Sequence, residues 1–329
     1  MSVRALETLI RDAMRLGINT FSWQGGEPTL MGLDFYKRVV ELEMKHGLPG
    51  AMVANALQTN GTLIDASWAR FFHEYKFLIG LSIDGPKDLH DYYRKDAGGR
   101  GTHSRVMKAA RVLRDQSVEF NVLVLVNDVN VREPDAVWDF LVEQGFTHLQ
   151  FIPCVEPFGK GKVAPYSADA GDYGRFIVRT LERYAEAFPA VSVREYDALL
   201  MRELGKPLGL CTFDERCGDY VVIEHNGDVF ACDFFVTPKW KLGNIIETSL
   251  EQIIQSPKIV EFAERKSALG EQCEGCDYMK VCHGGCPKHR DVTGGDTTAP
   301  SHFCNAYRMV FAQAAELIPK LVAKIREMG

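Results

Sequence analysis

At 329 residues and 46% hydrophobic content, the chain is long enough to bury one large core beside a smaller appendage. Its net charge of -6 leaves no basic field for a phosphate backbone, which argues against a nucleic-acid partner. No apolar run approaches the ~18 residues that cross a bilayer, so no membrane partner is expected.

The first element is an amphipathic helix. Leu6, Leu9, Ile10, Ala13 and Met14 recur at helical spacing between charges, and the segment stops at Gly17, unlike the unbroken apolar stretch of a signal peptide. Without an export signal the expected compartment is the reducing cytosol, where closely spaced cysteines bind metal or do redox chemistry more often than they form disulfides. Strand patterns follow at Thr20 to Trp23, Met52 to Gln58, Phe77 to Ile83, Phe120 to Val126 and His148 to Pro153. Helical patterns alternate with them at Leu33 to His46, Asp65 to Glu74, Ser104 to Arg114, Pro134 to Gln144 and Asp169 to Ala187. This alternation predicts an α/β fold with a parallel sheet, open or curled into a barrel. In such folds functional groups gather where strands end. The candidates are Gln24-Gly25-Gly26-Glu27-Pro28, Gln58-Thr59-Asn60-Gly61 and Ser82-Ile83-Asp84-Gly85-Pro86, although turn chemistry alone also produces such strings. Near Val191 helical periodicity gives way to cysteine-dense loops, dividing the chain into 1–190 and 191–329. A last amphipathic helix is expected from Tyr307 to Met328.

Eight of the nine cysteines lie in that second part: Cys211, Cys217, Cys232, Cys273, Cys276, Cys282, Cys286 and Cys304. They make two complete sets of four thiolates, as two 4Fe-4S clusters require. Two zinc sites of four thiolates fit the same count; disulfides fit the compartment poorly. Cys154, following a strand, reads as a small apolar residue. Between Val221 and Cys232, Asn226-Gly227 predicts a hairpin with a two-residue turn. That register sets Cys232 across from Val221, near Cys217 and Gly218, and strand alternation sends Cys232 and Asp233 to opposite faces.

The strand-end segments, with Trp23 to Leu30 and Gln58 to Leu63, resemble the barrel of radical S-adenosylmethionine enzymes. The array from Cys211 to Cys304 resembles their SPASM extension. Together with Cys232-Asp233-Phe234 and Leu242-Gly243-Asn244-Ile245, the likeness is to the anaerobic sulfatase-maturating enzymes in particular. It implies a partial (β/α)6 barrel with a cysteine-rich domain behind it. It also implies one auxiliary 4Fe-4S cluster on Cys211, Cys217, Cys232 and Cys286, and another on Cys273, Cys276, Cys282 and Cys304. Glu27 and the Gly25-Gly26 backbone would take the methionyl ammonium of S-adenosylmethionine, with Gln24, Ser82 and Arg94 as further contacts. Arg94 would offer its fork to the methionyl carboxylate; a solvated helix-start charge is the bland alternative. Asp233 matches the catalytic base, and otherwise reads as a hydrated acid at a strand end.

The implied activity is oxidation of a sulfatase Cys or Ser, within Cys/Ser-x-Pro-x-Arg, to formylglycine, with an electron donor as second partner. Modification of another peptide, or a non-catalytic iron-sulfur role, are the alternatives. Family members open with a strand and a C-x3-C-x2-C loop for a third, radical-generating cluster, whereas no cysteine here precedes Cys154. The expectation is an N-terminally truncated chain, inactive as it stands, whose Thr20 to Trp23 strand has an unpaired, aggregation-prone edge.

Overall fold

The computed structural model describes residues 1–328 apart from Lys160, Leu208 and 293–297. Helix α1 (Val3–Arg15) starts at Ser2, whose hydroxyl accepts from the Ala5 amide, satisfying one of the amides a helix start leaves open. Then strand and helix alternate: β1 (Thr20–Trp23), α2 (Leu33–His46), β2 (Ala54–Thr59), α3 (Ala66–Glu74), β3 (Leu78–Ser82), α4 (Lys87–Tyr93) and α5 (His103–Asp115). The series continues with β4 (Phe120–Val126), α6 (Pro134–Glu143), β5 (His148–Pro153), α7 (Ala170–Ala187), β6 (Ser192–Val193) and α8 (Arg194–Glu203). The six strands pair in chain order and all in parallel. Right-handed crossovers in an unreversed order put the helices on one face, as in a barrel wall. Val122, Leu123, Val124 and Val126 of β4 are all buried, the near-continuous apolar run expected of a covered parallel strand.

Three elements of this part fall outside the expected patterns: α4, β6 and α8, the last burying Tyr196, Ala198, Leu199 and Leu200 so that helical periodicity continues past Val191. Helix α4 buries only His90, so no apolar periodicity announces it. Strand β6 has two residues and pairs with β5 through His148 and Leu149, so the sheet runs past residue 190. At the other edge β1 bonds to β2 alone among the described residues.

The start of the barrel carries a buried acid. Glu43 on α2 accepts from Asn55 Nδ2 at 3.1 Å with both oxygens, while Asn55 Oδ1 accepts from Trp23 Nε1 at 2.8 Å. Burial raises the Glu43 pKa from 4.5 to about 7, against the lowering effect of Asn55. The stability tied to Glu43 is therefore fully present below the unfolded value and lost as pH rises through the folded one. The loss amounts to about 3 kcal/mol at most. Glu43→Gln is expected to flatten this dependence and to melt higher than the parent at about pH 8; parallel pH profiles in thermal melts would contradict it.

The second part opens on β7 (Val222–Ile223), β8 (Asp228–Phe230) and β9 (Lys241–Asn244), an antiparallel sheet. The hairpin register differs by one residue from the two-residue expectation. Val222 pairs with Phe230 and Ile223 with Val229, so His225, Asn226 and Gly227 form a three-residue loop. Gly227 sits at φ 90°, and Asn226 Oδ1 accepts from the Asp228 amide, the geometry of a turn closed by a left-handed glycine. Five short helices follow: α9 (Leu250–Ile254), α10 (Pro257–Ser267), α11 (Glu271–Glu274), α12 (Met279–Cys282) and α13 (Pro287–Asp291).

Both ends of the chain stitch the two parts together. The last helix, α14 (Cys304–Met328), packs back on α7 and α8, with the Phe303 ring before it 4.8 Å from that of Tyr173. Helix α1 shares an apolar cluster with Val229, Ile245, Leu250 and Ile253.

Candidate active site and cluster cavities

The strand ends of β1 and β2 are cross-tied. Glu27 Oε1 accepts from the Thr29 amide at 3.0 Å, Thr29 Oγ1 at 2.5 Å and Thr59 Oγ1 at 2.7 Å, and Oε2 accepts from the Asn60 amide at 2.8 Å. The carboxylate thus clamps β1 to β2. Gly25 and Gly26, just before it, are exposed and at positive φ. Ser82 is buried at the end of β3.

Arg94 is not a free fork. Its Nε and Nη2 hold Asp84 Oδ2 and Oδ1 at 2.5 and 3.0 Å. Asp84 is 2% exposed, and a carboxylate at that depth requires a charged partner. A relay sets the main chain around this pair. The Asp84 amide donates to His90 Nδ1, His90 Nε2 lies 3.1 Å from Thr102 Oγ1, and Thr102 Oγ1 donates to the Arg94 carbonyl. Burial pushes the His90 pKa down to about 4, so the ring is neutral and one tautomer serves both contacts. The bidentate edge expected for a cofactor carboxylate is thus occupied by Asp84.

The cysteines gather in two cavities. Cys211, Cys217, Cys232 and Cys286 line one, with Tyr220, Phe235 and Phe262. Cys273, Cys276, Cys282 and Cys304 line the other, with Tyr278 and Tyr307. Cys282 and Cys286, four residues apart, thus face different cavities. All nine cysteines are free thiols. Among the described residues no three Cys, His, Asp or Glu side chains converge on the point a single ion would occupy. Four thiols around one hollow match the ligand count of a 4Fe-4S cluster. Burial pushes the thiols of Cys232 and Cys282 up to about 12 and that of Cys286 up to about 11. Iron must therefore displace protons as it enters. Cys154 is buried near the end of β5 and lines neither cavity.

Asp233 stands where barrel and cysteine cavities meet. Gln24 Nε2, at the end of β1, donates to Asp233 Oδ2 at 3.3 Å. Tyr220 donates its hydroxyl to Asp233 Oδ1 at 2.9 Å and lies 3.5 Å from Cys232 Sγ. Cys232 and Asp233 are not on opposite faces: Cys232 Sγ contacts Asp233 Oδ1 at 3.3 Å. Strand β8 ends at Phe230 and a 3-10 turn begins at Asp233, so alternation does not reach this pair. Beside them, Lys288 ion-pairs with Glu156 from the barrel and its ammonium lies 4.4 Å from the centre of the Phe234 ring. Asp84, Tyr220 and Lys288 carried no signal in the sequence beyond their places next to a strand end or a cysteine.

A radical SAM superfamily model matches residues 1–141, and the SPASM iron-sulfur cluster-binding domain matches residues 211–277. The cysteine-type anaerobic sulfatase-maturating enzyme of Clostridium perfringens is 37% identical over 98% of this chain and 88% of its own. The serine-type enzyme of Bacteroides thetaiotaomicron is 34% identical over 90% of this chain and 75% of its own. The structure of native anSMEcpe with bound AdoMet and Kp18Cys peptide superposes with a TM-score of 0.93 at 36% identity, covering 98% and 91% of the two chains. Radical SAM and SPASM domains are 4Fe-4S proteins, and the two four-thiol cavities fit such clusters. Among the described residues no helix is long and apolar enough to cross a membrane. This chain belongs to the anaerobic sulfatase-maturating enzymes, radical SAM oxidoreductases that carry a SPASM domain.

Proposed function

We propose that the chain oxidises a Cys or Ser side chain of a sulfatase, within Cys/Ser-x-Pro-x-Arg, to formylglycine, with Asp233 as the base. The observation that carries the reading is the bridging position of Asp233. One oxygen is held by Gln24 of the barrel, and the other by Tyr220 beside a cluster cysteine.

When bound, S-adenosylmethionine with its reducing cluster supplies hydrogen-atom abstraction from the substrate Cβ, and the auxiliary clusters supply an acceptor for the electron left behind. The protein's part is positioning and proton transfer. Asp233 is exposed at the mouth, so a substrate thiol or hydroxyl reaches its carboxylate. Gln24 and Tyr220 each donate to it, which fixes the orientation of the carboxylate that would take the substrate proton.

For the cofactor, Glu27 acts through the clamp it makes between β1 and β2, which leaves the Gly25 and Gly26 carbonyls as acceptors for the methionyl ammonium. Asp84 holds Arg94 by two of its five N–H groups, so the remaining three are available to the methionyl carboxylate, and Ser82 adds a hydroxyl at the next strand end. The cluster ligands are Cys211, Cys217, Cys232 and Cys286 in one set, and Cys273, Cys276, Cys282 and Cys304 in the other. The reducing cytosol suits nine free thiols, and an electron donor is required.

With no cysteine before Cys154, these 329 residues are expected to leave S-adenosylmethionine intact until a C-x3-C-x2-C segment precedes them. With that segment, an anaerobic assay on a Cys-x-Pro-x-Arg peptide and its Ser counterpart should give the mass of the aldehyde and a hydrazone with an aldehyde probe. Cofactor cleavage with both peptides unchanged would move the substrate to a different peptide class.

A further inference from the structure

Lys266 is a cation in the wrong place for an ordinary lysine. It lies on α10 with 0% exposure, where an ammonium costs several kcal/mol unless an anion compensates. Its Nζ donates to the carbonyls of Cys211 and Thr212 at 2.5 and 2.9 Å. Carbonyl dipoles orient it but bring no negative charge. The acidic groups that face it are the thiols of Cys217, Cys286 and Cys211, with the half-buried Asp214 beyond them. Helix α10 is held rigidly behind it by Phe262, whose ring lies 5.1 and 5.3 Å from those of Trp240 and Phe235. The second cavity is lined by Arg308, which is exposed and so screened by water, while the buried Arg290 interacts with Cys273 of that set as well as with Cys286 and Cys217 of the first; Lys266 interacts with the first set alone.

We propose that Lys266 is the resident counter-charge of the cluster held by Cys211, Cys217, Cys232 and Cys286, and that it raises the reduction potential of that cluster. The inference rests on the ligand set proposed above. A cluster on four thiolates carries net negative charge that grows by one when an electron enters. A fixed buried cation therefore favours the reduced form, and low local dielectric magnifies the effect. This is the cluster beside Asp233, so the side chain that takes the proton and the centre that takes the electron are neighbours. Lys266 touches no substrate and acts as a positioning charge.

The test is a mediated potentiometric titration, followed by electron paramagnetic resonance, on the anaerobically reconstituted chain and on Lys266→Met and Lys266→Arg. In Lys266→Met one of the two auxiliary clusters should become harder to reduce by about tenfold or more in its equilibrium constant, about 59 mV for a one-electron couple. The other cluster should not move, and Lys266→Arg should behave as the parent. Loss of one cluster's iron in Lys266→Met with full retention in Lys266→Arg also supports the proposal, because charge is then the requirement. Unmoved midpoints in an iron-replete Lys266→Met overturn it. Equal iron loss in both variants overturns it too, by assigning Lys266 to packing. Failure of the ligand set is separately visible, as a Cys232→Ala chain that keeps all its iron.

Discussion

In a protein with the reducing-cluster loop in front of residue 1, Asp233→Asn should cleave S-adenosylmethionine as well as the parent yet form aldehyde at least about 10²-fold more slowly. Asparagine keeps the size of the side chain and one oxygen for Tyr220 or Gln24, so the Gly25, Gly26, Ser82 and Arg94 groups proposed for the cofactor are left in place. It cannot take the substrate proton. Its amide nitrogen also faces a donor, since both Asp233 oxygens are accepting in the native arrangement. The predicted signature is uncoupling: 5'-deoxyadenosine accumulates without a matching yield of formylglycine, read by chromatography of both products from one reaction. An unchanged ratio of aldehyde to deoxyadenosine would remove Asp233 from the proton step.

The second large effect concerns iron. Cys232→Ala and Cys304→Ala, one from each cavity, should each remove about half the iron and acid-labile sulfide that the reconstituted chain holds, since a cluster deprived of one of four thiolates is lost from aerobic or chelator-treated protein. Cys154→Ala should remove none, its thiol being buried apart from both cavities. Zinc in stoichiometric amount, or equal iron in all three variants, would contradict the two-cluster assignment.

Much of the barrel was legible because parallel strands and amphipathic helices write their periods into the chain. β4 and β5 carry the bounds expected of them, and α2 and α7 lie within a residue of theirs. Motif resemblance added the grouping of Cys286 with Cys211, which spacing could not give because Cys286 is nearer in sequence to Cys282. What was not legible has physical causes. Helix α4 packs through a histidine rather than an apolar stripe, and β6 is too short to alternate. The hairpin slipped by one residue because Asn226-Gly227 serves either turn length, and the choice rests on where Gly227 adopts its left-handed conformation. The occupied forks of Glu27 and Arg94 were hidden because a sequence names a donor or acceptor without naming what already satisfies it. Lys266 sits in Glu264-Arg265-Lys266-Ser267, which looks like any solvated helix end.

Cys282 and Cys286 face different hollows with only His283, Gly284 and Gly285 between them, and all three adopt positive φ, at 45°, 73° and 69°. Fully stretched, four residues reach about 14 Å; a left-handed curl is shorter. The strap is therefore a ruler that keeps the two metal centres close whatever the rest of the domain does. Filling either hollow therefore stiffens one wall of the other, while each keeps three cysteines that the strap does not carry.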